Sequence, residues 1–119
     1  NLRGLTLQVE KYDPLWIGLI SDKKILDQQI AQRVRVRVKA GAIQEWQQLK
    51  KKYAVSLPSM SGIGYRQLPD INAWLKAEQQ YARRQLTWFK ANKAIHWFDI
   101  AAKVDLAVAN LISVWYNKL

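Results

Sequence analysis

The apolar positions of this chain change their period from segment to segment, and the changes mark out its elements. LWIGLI (15–20) is an unbroken apolar run, opened by Pro14 and closed by Ser21 and Asp22. It is long enough for a buried strand and too short for an independent helix. From 22 to 40 the period becomes four, with Leu26, Ile30 and Val34 in register. Asp22 stands where an N-cap belongs, and Gly41 stands where a C′ glycine ends a helix. Inside that segment RVRVRVK (33–39) also alternates with period two, the pattern of a half-buried strand. The run continues from DKKILDQQIAQ without a turn, which favours a helix over 22–40 and leaves Val36 off the main stripe.

Ile43, Trp46, Leu49 and Tyr53 then take helical spacing over 42–53, and Lys50, Lys51 and Lys52 suit the negative end of that helix dipole. SLPSMSG (56–62) has the composition of a loop. The longest periodic segment, 70–92, starts at a capping Asp70. It carries Ile71, Trp74 or Leu75, Glu78, Tyr81 or Ala82, Gln85 and Phe89 along one side. IHWFDI (95–100) reads as a short extended piece, after which Asp99 caps a last helix over 100–116. Val104, Val108, Leu111 and Trp115 form its stripe, widened by Leu106, Ile112 and Val114, so this helix expects partners on more than one side. The expected fold is mainly α, with one or two short strands.

At 119 residues the chain has the size of one domain, and half of it is hydrophobic. Its charge is lopsided: 19 Lys plus Arg against 9 Asp plus Glu, a net +10. Segment 33–52 concentrates this in Arg33, Arg35, Arg37, Lys39, Lys50, Lys51 and Lys52, with Glu45 its single acid. A polyanion such as nucleic acid fits that balance, and so does a merely solvated basic face. The absence of cysteine excludes disulfides and thiolate metal sites, and one histidine, His96, leaves little for zinc or for a histidine-dependent triad. No apolar run reaches the roughly 20 residues of a membrane span. The chain opens at Asn1 without a methionine, which reads as a boundary inside a longer protein, although a processed terminus starts the same way.

Two stretches carry candidate chemistry. SGIGYRQ (61–67) contains a Gly-x-Gly pair, but it has neither the Gly-x4-Gly-Lys-Ser/Thr of a phosphate loop nor the third glycine of a dinucleotide loop. A plain turn explains the glycines better. Arg66 follows that turn directly, and its planar fork suits phosphate oxygens; spacing alone does not separate this role from a surface arginine. In ARRQLTWF (82–89), Arg83, Arg84 and Gln85 precede Thr87 and Trp88. That mixture of basic, amide and aromatic groups can hold a nucleic-acid backbone or stack a base, while helical spacing puts Trp88 or Phe89 in a core. The carboxylates are scattered, with no pair placed for acid–base work.

Taken in order, these stretches resemble the C-terminal part of the tRNA dimethylallyltransferases, also called tRNA isopentenyltransferases. LPSMSGIGYRQL (57–68) is similar to the family's I-G-Y-R/K-E/Q element. YARRQLTWF (81–89) resembles A/T-K/R-R-Q-x-T-W-F/L, and IHWFDI (95–100) its short W-F/L-D. IAQRVRVRVKAGAIQEWQQL (30–49) is similar to the family's basic helix, and LRGLTL (2–7) to its R-A-L-E segment.

The resemblance implies the C-terminal part of an α/β fold like that of the P-loop kinases. It implies transfer of a dimethylallyl group from dimethylallyl diphosphate to the exocyclic amine of the adenosine on the 3′ side of a tRNA anticodon. The phosphate loop, the aspartate base and the ligands of Mg²⁺ are then expected outside these residues, so the chain alone is expected to be inactive. Arg66 would lie at the donor diphosphate, with Tyr65 and Gln67 shaping that site. Arg83, Arg84 and Gln85 would face the tRNA anticodon stem-loop, with Trp88 behind them in the core. Arg33, Arg37, Lys50 and Lys51 would extend the backbone-contact surface. A cytoplasmic monomer is implied. Two departures stand out: only PDINAWLKAEQQY separates GYRQL from ARRQ, and the tail after Ile100 is more hydrophobic than the family's. They keep a second reading open, a non-catalytic RNA-binding module or inactive paralogue.

Overall fold

The computed structural model describes residues 12–119; the LRGLTL segment falls outside the described residues. The elements follow in the order β1 (Trp16–Ile20), α1 (Lys23–Lys39), α2 (Ala42–Lys52), a 3₁₀ turn (Pro58–Ser61), α3 (Ile71–Lys90), β2 (Ile95–Asp99) and α4 (Asp105–Tyr116). They fall into two compact units, a helical one over Asp22–Phe89 and a second built from the chain before and after it.

In the helical unit, the conflict over RVRVRVK resolves as helix. Ile30 and Val34 are buried, whereas Val36 is 53% exposed. The period-four stripe therefore prevails, because its positions are the ones buried within the helical unit. Asp22 takes the N-cap position without a capping side-chain bond; its carbonyl receives the Leu26 N–H. Gly41, at φ +101°, ends α1 with its N–H on the Val38 carbonyl and passes directly into α2. Asp70 caps α3 as its sequence position implies, its carboxylate accepting from the Ala73 N–H at 3.0 Å.

The core of this unit is small. Val34 of α1, Trp46 of α2, Met60, Leu68 and Trp74 of α3 form one buried cluster, with Val38, Ile43, Leu49, Tyr65 and Leu75 packed on it. Each fully buried aliphatic side chain of this kind contributes about 1.5–3 kcal/mol. Met60 is the least foreseeable member, since it lies in a Ser/Pro/Gly segment with no period to mark it. Salt bridges run between α1 and α3, from Asp27 to Arg83 and from Arg33 and Arg37 to Glu78. Residue numbers rise along one helix as they fall along the other, so the two run antiparallel.

The second unit holds a two-stranded sheet in which β1 and β2 pair in parallel, Trp16 opposite Ile95 through Ile20 opposite Asp99. The whole helical unit is thus the crossover between two adjacent parallel strands. Gly18 lies so close to its partner that a Cβ there would stand 2.5 Å from the Trp97 ring. The last helix begins at Asp105, later than the expected 100. Asp99 does not cap it: that residue closes β2, and its carboxylate takes the Ala101 N–H at 2.9 Å in the turn that follows. Trp115 anchors α4 by donating its Nε1–H to the Asp13 carbonyl at 3.3 Å. No residue of α4 is buried, and Leu106 is 73% exposed, so the broad apolar surface lacks the partners its sequence calls for among the described residues.

Candidate substrate-binding site

The GYRQ stretch forms a tight turn between the 3₁₀ segment and α3. Gly62 and Gly64 offer their carbonyls to the N–H groups of Arg66, Gln67 and Leu68 at 2.9–3.1 Å. Gly64 has φ +104°, a conformation that favours glycine, and a Cβ there would press on the Trp74 ring at 3.2 Å. The Gln67 side chain folds back, its Oε1 accepting the Gly64 N–H at 2.9 Å. Leu68 is buried in the core and precedes a cis bond to Pro69. The Tyr65 hydroxyl donates to the Glu45 carboxylate of α2. That hydrogen bond raises the Tyr65 pKa above the ordinary tyrosine value, with partial burial and the charge of Glu45 acting in the same sense.

The polar ends of Tyr65 and Gln67 are therefore engaged with other groups of the chain, Tyr65 in an exposed hydrogen bond and Gln67 in a half-buried one. Arg66, between them, is exposed and makes no ion pair among the described residues. Beside the turn lies a cleft of about 370 Å³, lined by Arg37, Glu45, Ile63, Gly64, Tyr65 and Trp74 among others. The structure thus brings Arg37 to the same cleft as the turn.

The basic residues differ in how free they are. Arg33 and Arg37, one helical turn apart, share Glu78 at 3.3 and 3.5 Å while their own side chains stay about half exposed, at 54% and 52%. Glu78 is held in turn by Trp74, whose Nε1–H donates to it at 3.1 Å. Arg83 pairs with Asp27 at 3.3 Å. Arg84 and Gln85 are exposed on α3. Lys50 lies over the Trp46 ring at 4.4 Å, and Lys51 is exposed. Arg83, Arg84 and Gln85 do not line the cleft beside the turn.

Trp88 is not behind these residues in the core. It is 73% exposed and meets Phe89 edge-to-face at 5.0 Å, and Phe89 is itself 38% exposed. The inward stripe of α3 runs through Leu75, Glu78, Ala82 and Leu86, and Trp88 falls outside it. Glu45 and Glu78, the carboxylates that organise both regions, are not among the site residues expected from the sequence. The sequence does mark them: Glu45 is the one acid in segment 33–52, and Glu78 is a charge on an apolar stripe. Among the described residues no three His, Cys, Asp or Glu side chains converge as a metal site. Nor is any helix there long and apolar enough to cross a membrane.

The described structure is a basic three-helix excursion between two parallel strands, with an exposed arginine on an anchored turn. Comparison with known proteins gives the family. The model of the IPP transferase family matches residues 3–92, and the chain belongs to that family. A tRNA dimethylallyltransferase of Levilactobacillus brevis is 34% identical over 121 residues, a match covering 91% of this chain and 39% of the relative. One from Staphylococcus aureus is 39% identical over 110 residues, covering 83% and 35%. Among solved structures, the tRNA delta(2)-isopentenylpyrophosphate transferase of Staphylococcus epidermidis superposes with a TM-score of 0.77 at 28% identity, over 90% of this chain and 38% of that one. The tRNA isopentenylpyrophosphate transferase of Bacillus halodurans gives 0.77 at 26% identity, over 98% and 44%. This chain spans less than half the length of each of these relatives.

Proposed function

We propose that this chain is part of a tRNA dimethylallyltransferase. In the reaction, the exocyclic amine of the adenosine 3′-adjacent to the anticodon attacks the allylic carbon of dimethylallyl diphosphate. The carbon–oxygen bond breaks, diphosphate leaves, and the amine gives up a proton to a base. Among the described residues no three His, Cys, Asp or Glu side chains are grouped to hold the Mg²⁺ that the resemblance implies.

The observation that carries this reading is Arg66. In a chain of this family it stands exposed between two neighbours whose polar groups are already bonded within the chain. A guanidinium held in that way is suited to stabilise the charge that develops on the departing diphosphate. Tyr65 and Gln67 shape that site by fixing the turn. Arg84, Gln85, Lys50 and Lys51 contact the RNA backbone of the anticodon stem-loop, with Arg33, Arg37 and Arg83 contributing through partly shared charge. The enzyme works as a cytoplasmic monomer.

The test uses the complete reading frame that encodes this chain, incubated with dimethylallyl diphosphate, Mg²⁺ and an anticodon stem-loop. Weighing the RNA should reveal one added dimethylallyl unit, and Arg66→Ala should slow its appearance severely. RNA that binds but never gains mass would replace this reading with a non-catalytic RNA-binding module.

A further inference from the structure

We infer that Glu45 is a positioning residue for the donor site, acting through the Tyr65 hydroxyl to set the turn that presents Arg66. This rests on the transferase reading above and assigns a role to a residue outside its substrate contacts.

The turn is fastened on three sides. Leu68 sinks into the core behind it, and Gly64 is pressed against Trp74 beneath it. Both attachments lie along the backbone near its ends. The third is lateral and polar: Tyr65 reaches from the turn to Glu45 on α2. Arg66 is the next residue, and its N–H is already committed to the Gly62 carbonyl. Rotation of the peptide between 65 and 66 is therefore opposed on one side by that backbone bond and on the other by the tyrosine tether. Without the tether, the Tyr65 ring keeps its apolar contacts with the core but loses the atom that fixes its azimuth. The arginine that follows then samples a wider cone.

An exposed hydrogen bond to a carboxylate contributes modestly to stability. Its effect on transfer is larger if about 1 Å of guanidinium placement decides how well a transition state is held. The raised Tyr65 pKa agrees with a hydroxyl that donates to Glu45 throughout the working pH range and is not offered to substrate.

The experiment is steady-state transfer by the complete enzyme, varying dimethylallyl diphosphate and the RNA separately, for Glu45→Ala, Glu45→Gln, Tyr65→Phe and the double variant Glu45→Ala with Tyr65→Phe. Glu45→Ala and Tyr65→Phe should each lower kcat/KM for the donor by about tenfold or more, a loss in the range that small misplacements produce. The KM for RNA should stay unchanged. The double variant should be no worse than either single one, because both remove the same bond. Glu45→Gln should recover most of the rate, since its amide oxygen still accepts from the phenol. Losses that multiply in the double variant, an unaltered donor kcat/KM in Glu45→Ala, or no recovery in Glu45→Gln would each overturn the positioning role while leaving the transferase reading in place. No transfer by the unaltered enzyme would overturn both. Tyr65→Phe keeps its ring against the core, so a donor-specific loss under conditions where the variant remains folded, with the KM for RNA unchanged, separates positioning from damage.

Discussion

Gly64 lies against the indole of Trp74, where a Cβ would stand 3.2 Å from Cε2 and from Nε1, and its φ of +104° belongs to the region that L-residues avoid. Gly62 shares neither constraint: its φ is −62°, and the nearest atom to an added Cβ is 3.9 Å away. The two glycines of one motif are thus unequal. Gly64→Ala should destabilise the protein by about 1–3 kcal/mol, whereas Gly62→Ala should stay within about 0.5 kcal/mol. Urea unfolding midpoints compare them directly, and equal costs would contradict the asymmetry.

Glu78 serves two kinds of partner, the buried Trp74 indole N–H and the half-exposed Arg33 and Arg37. Glu78→Ala leaves the indole donor without its acceptor and should cost about 1–3 kcal/mol. Glu78→Gln keeps an oxygen for Trp74 and should cost less. It also releases two guanidiniums from their counter-charge, so RNA binding by Glu78→Gln should become tighter at low salt and more steeply salt-dependent. Filter binding across a salt series measures this, and a weaker, flatter response would refute it.

Arg83 and Arg84 are adjacent in sequence, but among the described residues only Arg83 has a carboxylate partner, Asp27. Arg84→Ala should therefore weaken RNA binding more than Arg83→Ala, and should reduce the slope of log affinity against log salt by about 1. Arg83→Ala should carry a small stability loss, within the ~0–1 kcal/mol of exposed pairs. The reverse order of RNA affinities would show that the paired arginine is the one presented to phosphate.

The Tyr65 hydrogen bond gives a pH dependence with a definite sign. Its pKa in the folded protein is raised above the unfolded value of about 10.0, so the folded state holds the proton more tightly. The resulting stabilisation is fully present below pH 10 and is lost as the pH rises through the folded value, when phenolate and Glu45 repel. Tyr65→Phe should cost about 1 kcal/mol at neutral pH. The gap between the two proteins should close above pH 10. A gap that stays constant to pH 11 would mean the bond does not survive in solution.

Much of the local structure was legible because it depends on neighbours in sequence. The four-residue period of Leu26, Ile30 and Val34, the glycine at 41 and the cap at Asp70 each specify an element through contacts one turn away. The same information was ambiguous at RVRVRVK, where two periods fit one string and only burial against other helices chose between them. It failed at Trp88, whose aromatic character suggested a core that α3 does not provide at that azimuth, and at Asp99, which serves a strand end instead of a helix start.

The sequence by itself determined the helices, the basic balance, and the ordered motifs that place the chain in its family, since each is a property of composition or of short spacing. Which charges remain available was decided by tertiary structure. Glu45 meets Tyr65 across 20 positions, Glu78 meets Arg33 across 45, and Asp27 meets Arg83 across 56. No periodicity encodes such pairings, because they arise only when packing of the apolar stripes fixes how the helices cross. That packing leaves Arg66 outward with its neighbours' polar groups bonded within the chain, and so turns a flexible-looking Gly-x-Gly-Tyr-Arg-Gln into an anchored presentation of one guanidinium.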